Sequence, residues 1–356
     1  MHHNPAKNVL FVRAPIDEIG RRMNLSAARV EELLESAKKK MYAARLKRQA
    51  PYVDKTVYVG WNSLCISAYL EAARVLGLGD ARRFALRSLD RVLAQALKHG
   101  SGTATTSLLH VVAYSDPKAE HREVPGLLED YAFTALACLD AYETTSDRSY
   151  FKFAHSIVDA MIARFYDATS GGFFDSEPAA DGKSLGVLAT RRKPLQDSPT
   201  PAGNPMAVIA LMRLYHYTGE AAYRDKAEQT LETFAGVAEQ FGIFAATYGI
   251  AVLHFVESPV QVVVIAEETS REEADDLCAA ALAPFAFSKT VLRLTPNQAV
   301  AQNLPPVLGQ TIPNLPQLHS GQSFAVLCSG TACQPPVSEG GELKRQLEAA
   351  LSTPLP

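Results

Sequence analysis

The chain has 356 residues, 47% of them hydrophobic, enough for one large domain plus a small one around a sizeable core. Lysines and arginines number 35 against 38 acids, a formal charge of −3, so no global electrostatic reason exists to expect nucleic acid or an anionic membrane as a partner. No stretch approaches the roughly 18 apolar residues of a membrane span, and the opening MHHNPAKNVLFVRAP lacks the basic region and apolar run of a signal peptide; the expected location is the cytoplasm.

In chain order, the first predicted element is a helix over 26–48. Val30, Leu33, Leu34, Ala37, Met41 and Ala44 recur at helical spacing, and EELLES precedes KKKMYAARLKRQ, so acids come before bases as the helix dipole prefers. Three helical hairpins follow. YLEAARVLGLGDARRFALRSLDRVL carries Asp80, Phe84 and Ser88; LDAYETTSDRSYFKFAHSIVDAM carries Asp147, Tyr150 and Ala154; MRLYHYTGEAAYRDKAEQTLETF carries Glu220, Tyr223 and Ala227. The copies lie roughly 70 residues apart, whereas solenoid repeats recur every ~34 to 47 residues. The difference is taken up by long connections rich in Gly, aromatics and acids, among them SGTATTSLLHVVAYSD and the run from Tyr166 to Asn204. Hairpins joined by long loops on one side suit an α/α toroid whose loops build a mouth, and long loops in a compact domain are usually functional.

Beyond 258 the pattern changes. VQVVVIAE reads as a buried strand, REEADDLCAAALAPF as a helix, KTVLRL and SFAVLCS as strands, and SEGGELKRQLEAALS as a closing helix, with a loop expected from Pro296 to Pro316. The expected architecture is mainly α: an incomplete α/α toroid over 1–258 and a small α/β module over 259–356. About eight helices are expected between Ser26 and Glu257, fewer than a closed six-hairpin ring requires, so the ring is expected to be open. An open ring leaves apolar helix faces at the break, which predicts self-association through the 26–48 helix or a partner supplied in trans.

Cys65, Cys138 and Cys278 sit in apolar helical patterns and read as buried small hydrophobes. Cys328 and Cys333 are spaced as CSGTAC; a disulfide is sterically feasible across that loop, and a cytoplasmic location favours thiols. Nine histidines lack HxxxH or HExxH spacing, and no P-loop, dinucleotide fingerprint or GxSxG elbow is present, so neither metal nor cofactor is expected. His155, His216 and His254 lie within predicted helices and read as packed or surface residues.

The motifs GWNSLCISAYLEAA, LLEDYAFTALACLDAYE, FYDATSGGFFDS, RRKPLQDSPTPAGN and VLCSGTACQPP occur in an order that resembles the C-terminal part of the thioredoxin-domain-containing proteins related to spermatogenesis-associated protein 20. The helical region of that family is similar to the six-hairpin toroid of N-acylglucosamine 2-epimerases. The resemblance implies a toroid, and a thioredoxin-like partner for a chain without a CxxC motif of its own.

A toroid mouth that holds a sugar needs a flat aromatic face, hydrogen-bonding groups for hydroxyls and an acid/base pair. Candidates recur where inner helices begin. Asp130 and Asp197 are the expected acid/base residues, with Trp61, Asn62, Tyr131, Phe173, Arg191, Gly203 and Asn204 expected to bind substrate. The competing reading makes Asp130 and Asp197 helix caps and the aromatics core. The function expected is carbohydrate binding or processing by an epimerase-like or glycoside-hydrolase-like pocket; the alternative is a non-catalytic interaction module.

Overall fold

The computed structural model describes residues 10–98, 106–116, 123–178, 190–330 and 332–352. Parts of two long connections, 99–105 and 179–189, lie outside that set. The chain forms two compact units, Met1–Asp54 and Lys55–Pro356. The first holds α1 (Ile16–Met23) and α2 (Ala27–Leu46). Ser26 caps α2 by accepting from the Arg29 N–H, and Asn24 turns the chain between the helices at φ 54°, a left-handed conformation that Asn tolerates.

The second unit opens with three hairpins: α3 (Val59–Leu76) with α4 (Gly79–Ala96), α5 (Leu128–Thr145) with α6 (Arg148–Phe165), and α7 (Gly203–Thr218) with α8 (Ala221–Ala235). A further helix, α9 (Ala246–Val256), follows. Inner helices α3, α5, α7 and α9 pack in succession, and each of α4, α6 and α8 lies against its own inner partner. This is the arc of an α/α toroid. Helix α5 has α3 on one side, α7 on the other and α6 behind, so it is buried nearly all round, from Leu128 through Glu143. Between Ser26 and Glu257 the described residues hold eight α-helices, α2 to α9, in agreement with the number read from periodicity.

The repeat has a physical cause on both layers. On the outer layer, the Tyr150 hydroxyl of α6 donates to Asp90 of α4 at 2.7 Å, and the Tyr223 hydroxyl of α8 donates to Asp159 of α6 at 2.7 Å. Phe84, which occupies the aromatic position in the first copy, has no hydroxyl to offer and stacks on Tyr69 instead, ring centroids 5.1 Å apart. On the inner layer, Glu143 of α5 accepts from Arg74 of α3 at 2.9 Å and from Arg213 of α7 at 2.7 Å. Arg213 also donates to Asp140, and the Tyr217 hydroxyl donates to Glu143. Neighbouring inner helices are thus bolted together by buried charge. At one end of the arc, α3 leaves Trp61, Cys65, Tyr69 and Leu76 exposed along one face. Cys65 therefore lies at the surface, contrary to its expected burial, because among the described residues of this unit no further inner helix covers that face; Cys138 is buried.

The C-terminal elements match the reading of the sequence: β5 (Val260–Ile265), α10 (Arg271–Leu282), β6 (Lys289–Leu294), β7 (Phe324–Ser329) and α12 (Gly340–Leu351). Strand order is β6-β5-β7-β8, where β8 is Ala332–Cys333; β5 pairs parallel with β6 across the α10 crossover and antiparallel with β7. Apart from Gln261, which donates to the His216 carbonyl, strand β5 is apolar because both its faces are covered. Val263 and Ile265 join the large helical core, while Val260, Val262 and Val264 pack with α10 and α12. One face of the module's sheet thus joins the helical core while the other forms a separate cluster with α10 and α12. The proline-rich stretch expected to be a loop contains α11 (Pro306–Thr311) and short 3-10 turns that pack Leu308, Ile312 and Leu318 into that core. Cys328 and Cys333 face each other on β7 and β8 and are joined by a disulfide.

Two histidines of this core make it acid-sensitive. Burial, reinforced by the Arg213 guanidinium, pushes His216 down to about 4; the same two causes, with His216 itself, hold His254 at about 4. His254 Nδ1 has no partner among the described residues. Each histidine titrates lower in the folded chain than in the unfolded one, so the unfolded state takes up protons first as pH falls below about 6.5, and stability is lost. By pH 5 the loss is expected to be roughly 2 kcal/mol per histidine. Thermal melts between pH 7.5 and 5 check this, and a His254→Leu variant with an undiminished slope would contradict it.

Candidate functional site

The amino ends of the inner helices are connected by side chains rather than left to solvent. The Val59 N–H donates to the His110 carbonyl and the Gly60 N–H to Asp130 Oδ1, both in the first turn of α3. Asp130 Oδ2 accepts from the Leu127 N–H, which closes the first turn of α5, and contacts His110 Nδ1 at 2.8 Å. Asp130 is wholly buried. Gly60 is required by this approach, since a Cβ there would lie 2.9 Å from Asp130 Oδ1. Asp197 repeats the device at the other end of the arc: Oδ1 accepts from the Ala202 N–H before α7, and Oδ2 from the Thr247 N–H in the first turn of α9. Both acids therefore satisfy donors that a helix start leaves orphaned, and a negative charge there suits the helix dipole.

The remaining expected site residues divide by exposure. Tyr131 and Phe173 are fully buried and offer no open aromatic face: the Tyr131 hydroxyl accepts from the Leu108 N–H, and its ring packs edge-on against Phe165. Asn204 is buried and saturated, accepting from the Phe173 N–H and donating to the Phe173 and Pro194 carbonyls. Gly203 lets α7 approach α5, since a Cβ would lie 2.9 Å from Leu128 Cδ2. These four build the scaffold. Trp61 is 55% exposed and stacks against Tyr58 at 4.8 Å; Asn62 donates to the Tyr58 carbonyl. The Arg191 guanidinium lies 3.8 Å from the centre of the Phe174 ring.

His110 carries chemistry that no motif announced. Of the short strands β1 (Val57–Tyr58), β2 (Leu97–Lys98), β3 (Ser107–Leu108) and β4 (Val111–Ala113), β1 pairs antiparallel with β4, which sets His110 beside Tyr58, ring centroids 5.4 Å apart. With Nδ1 on Asp130, the imidazole is held in one orientation and is partly exposed. The Asp130 hydrogen bond raises its pKa above the usual histidine value, against the opposing effect of burial. Glu129, one residue before Asp130, is pushed above the usual carboxylate range by burial and by the Asp130 charge. The arrangement combines an oriented imidazole, a carboxyl whose pKa is raised and an aromatic pair of which Trp61 is exposed. Such a set can transfer protons beside a ring-shaped ligand. The only sequence signal for His110 was its position inside LLHVVAY, a short apolar run within a long connection. Among the described residues no group of three or more His, Cys, Asp and Glu has the arrangement of a metal site.

Fold and rim together define a mainly α protein, an open arc of α/α hairpins closed on one side by a small α/β module. The chain is similar to spermatogenesis-associated protein 20: it is 27% identical to the human protein over 348 residues, 96% of this chain and 42% of that one. It is 30% identical to the rat protein over 237 residues, 64% of this chain and 28% of that protein. The chain thus spans less than half the length of these relatives. No family model matches it. Solved structures that the chain matches in part include a GH76 α-mannanase of Bacteroides thetaiotaomicron, with a TM-score of 0.43 and 16% identity over 58% of this chain and 53% of that one. A sugar epimerase from a ruminal bacterium has a TM-score of 0.39 and 13% identity over 51% of this chain and 44% of that one.

Proposed function

We propose that the rim at the amino ends of α3 and α5 binds and processes a carbohydrate, with His110 as the proton-transferring group. The observation that carries this reading is the 2.8 Å contact between His110 Nδ1 and buried Asp130, which orients a partly exposed imidazole next to Tyr58, the ring against which Trp61 packs. Asp130 acts through His110, favouring its protonated form, and Glu129 is the second proton donor or acceptor. Trp61 supplies the apolar face on which a sugar ring stacks. The reaction class is acid–base chemistry of the epimerase or glycoside-hydrolase kind, which requires one group to donate a proton while another accepts one.

A sugar-library binding screen followed by turnover assays tests the proposal. Hits are expected to weaken at least about fivefold in Trp61→Ala, since one stacked aromatic contributes on the order of 1 kcal/mol or more. Turnover of a hit is expected to fall about 10²- to 10⁴-fold in His110→Ala, the range of a lost general acid or base. A library without hits, or hits indifferent to both substitutions, would sink the reading.

A further inference from the structure

The charges of this rim are unequally occupied. Its carboxylates accept hydrogen bonds from the chain itself: Asp130 and Asp197 at helix starts, Asp175 through Oδ1 from the Arg192 N–H, and Asp167 from Lys193 at 2.8 Å. Glu129 is pushed above the usual carboxylate range by burial and by the Asp130 charge. Arg191, by contrast, has no ion pair among the described residues, and its contact with the Phe174 ring uses none of its five N–H donors.

Arg191 is also tied to the proposed site through the backbone. Its neighbour Arg192 exchanges hydrogen bonds with Asp175, donating to Oδ1 and accepting from the backbone N–H. The Asp175 carbonyl in turn accepts from the Leu128 N–H, one residue before Glu129. The residue that follows Arg191 is thereby tied to the start of α5, while the guanidinium itself lies over Phe174 with its donors uncommitted.

We infer that Arg191 is an anion-recognition residue of this rim, and that the sugar it takes is an acidic one, carrying a carboxylate or a phosphate. The inference rests on the carbohydrate reading above and deepens it. A guanidinium matches either anion with two parallel hydrogen bonds, and stacking on Phe174 reduces the ordering needed to form them.

Titration of the full chain with glucose, glucuronate and glucose 6-phosphate tests it. At least one of the two acids is expected to bind ten or more times tighter than glucose, with the advantage shrinking as salt is raised. Arg191→Ala is expected to remove that advantage and Arg191→Lys to restore only part of it. Preference for glucuronate assigns a carboxylate, and preference for glucose 6-phosphate a phosphate; either supports the inference. Glucose binding as tightly as both acids, with Arg191→Ala without effect, overturns the role of Arg191 and leaves the carbohydrate reading standing. Failure of all three to bind a chain shown to be folded by its cooperative melt overturns both.

Discussion

Glu143→Ala is expected to lower the stability of the chain by about 3–5 kcal/mol, the cost of removing one partner from a buried ionic network. Its carboxylate is almost fully enclosed and accepts from Arg74, Arg213 and Tyr217, so three inner helices lose a common anchor at once. Arg213 keeps Asp140 as a partner, whereas Arg74 keeps only the longer, largely exposed contact with Glu71 at 3.7 Å. Burial disfavours the Glu143 carboxylate, yet the two guanidiniums outweigh it and hold the group below its usual range. A depressed carboxyl contributes stability above its unfolded value and loses it as pH falls through the folded one, so the gap between wild type and variant is expected to narrow in acid. Urea unfolding at neutral and acidic pH measures both. A loss under about 1 kcal/mol at neutral pH would show that the network is not the bolt described here.

Phe173→Ala is expected to cost about 3–5 kcal/mol, as buried Phe truncations do. The ring is fully buried and packs against Tyr166 at 5.1 Å, and its backbone is held on both sides by Asn204 at the start of α7. Trp61→Ala is expected to stay within about 0.5 kcal/mol of the wild type, because an exposed ring has little packing to lose. Equilibrium unfolding of the two variants side by side separates a core aromatic from a ligand platform. Equal losses in both would mean that exposure does not distinguish them.

Much of this chain is readable from local pattern. Helices with one buried stripe declare themselves by period, and the β5-α10-β6 unit does so by a continuous apolar run followed by a helical one. The 70-residue spacing was sufficient to argue for hairpins with long connections rather than a solenoid. Asn204, Pro205, Gly203 and Asp197 were visible as a cluster leading into α7, because helix starts draw on a small set of residue types.

The sequence by itself determined the elements, their order and the places where acids and aromatics collect. The tertiary structure alone decided which of those residues face inward. Any helix start has orphaned donors, but the donor each acid satisfies is set by a neighbour distant in the chain: Asp130 reaches Gly60, 70 positions earlier, and Asp197 reaches Thr247, 50 positions later. The same holds for His110, whose flanking residues describe only a short apolar strand. Its chemistry arises because β1 and β4 pair beside the start of α5 and place Asp130 against its Nδ1. Hydrophobic period and capping are properties of a segment and are written locally. Burial, hydrogen-bond saturation and pKa are properties of an environment assembled from several segments, so only the assembled arc supplies them.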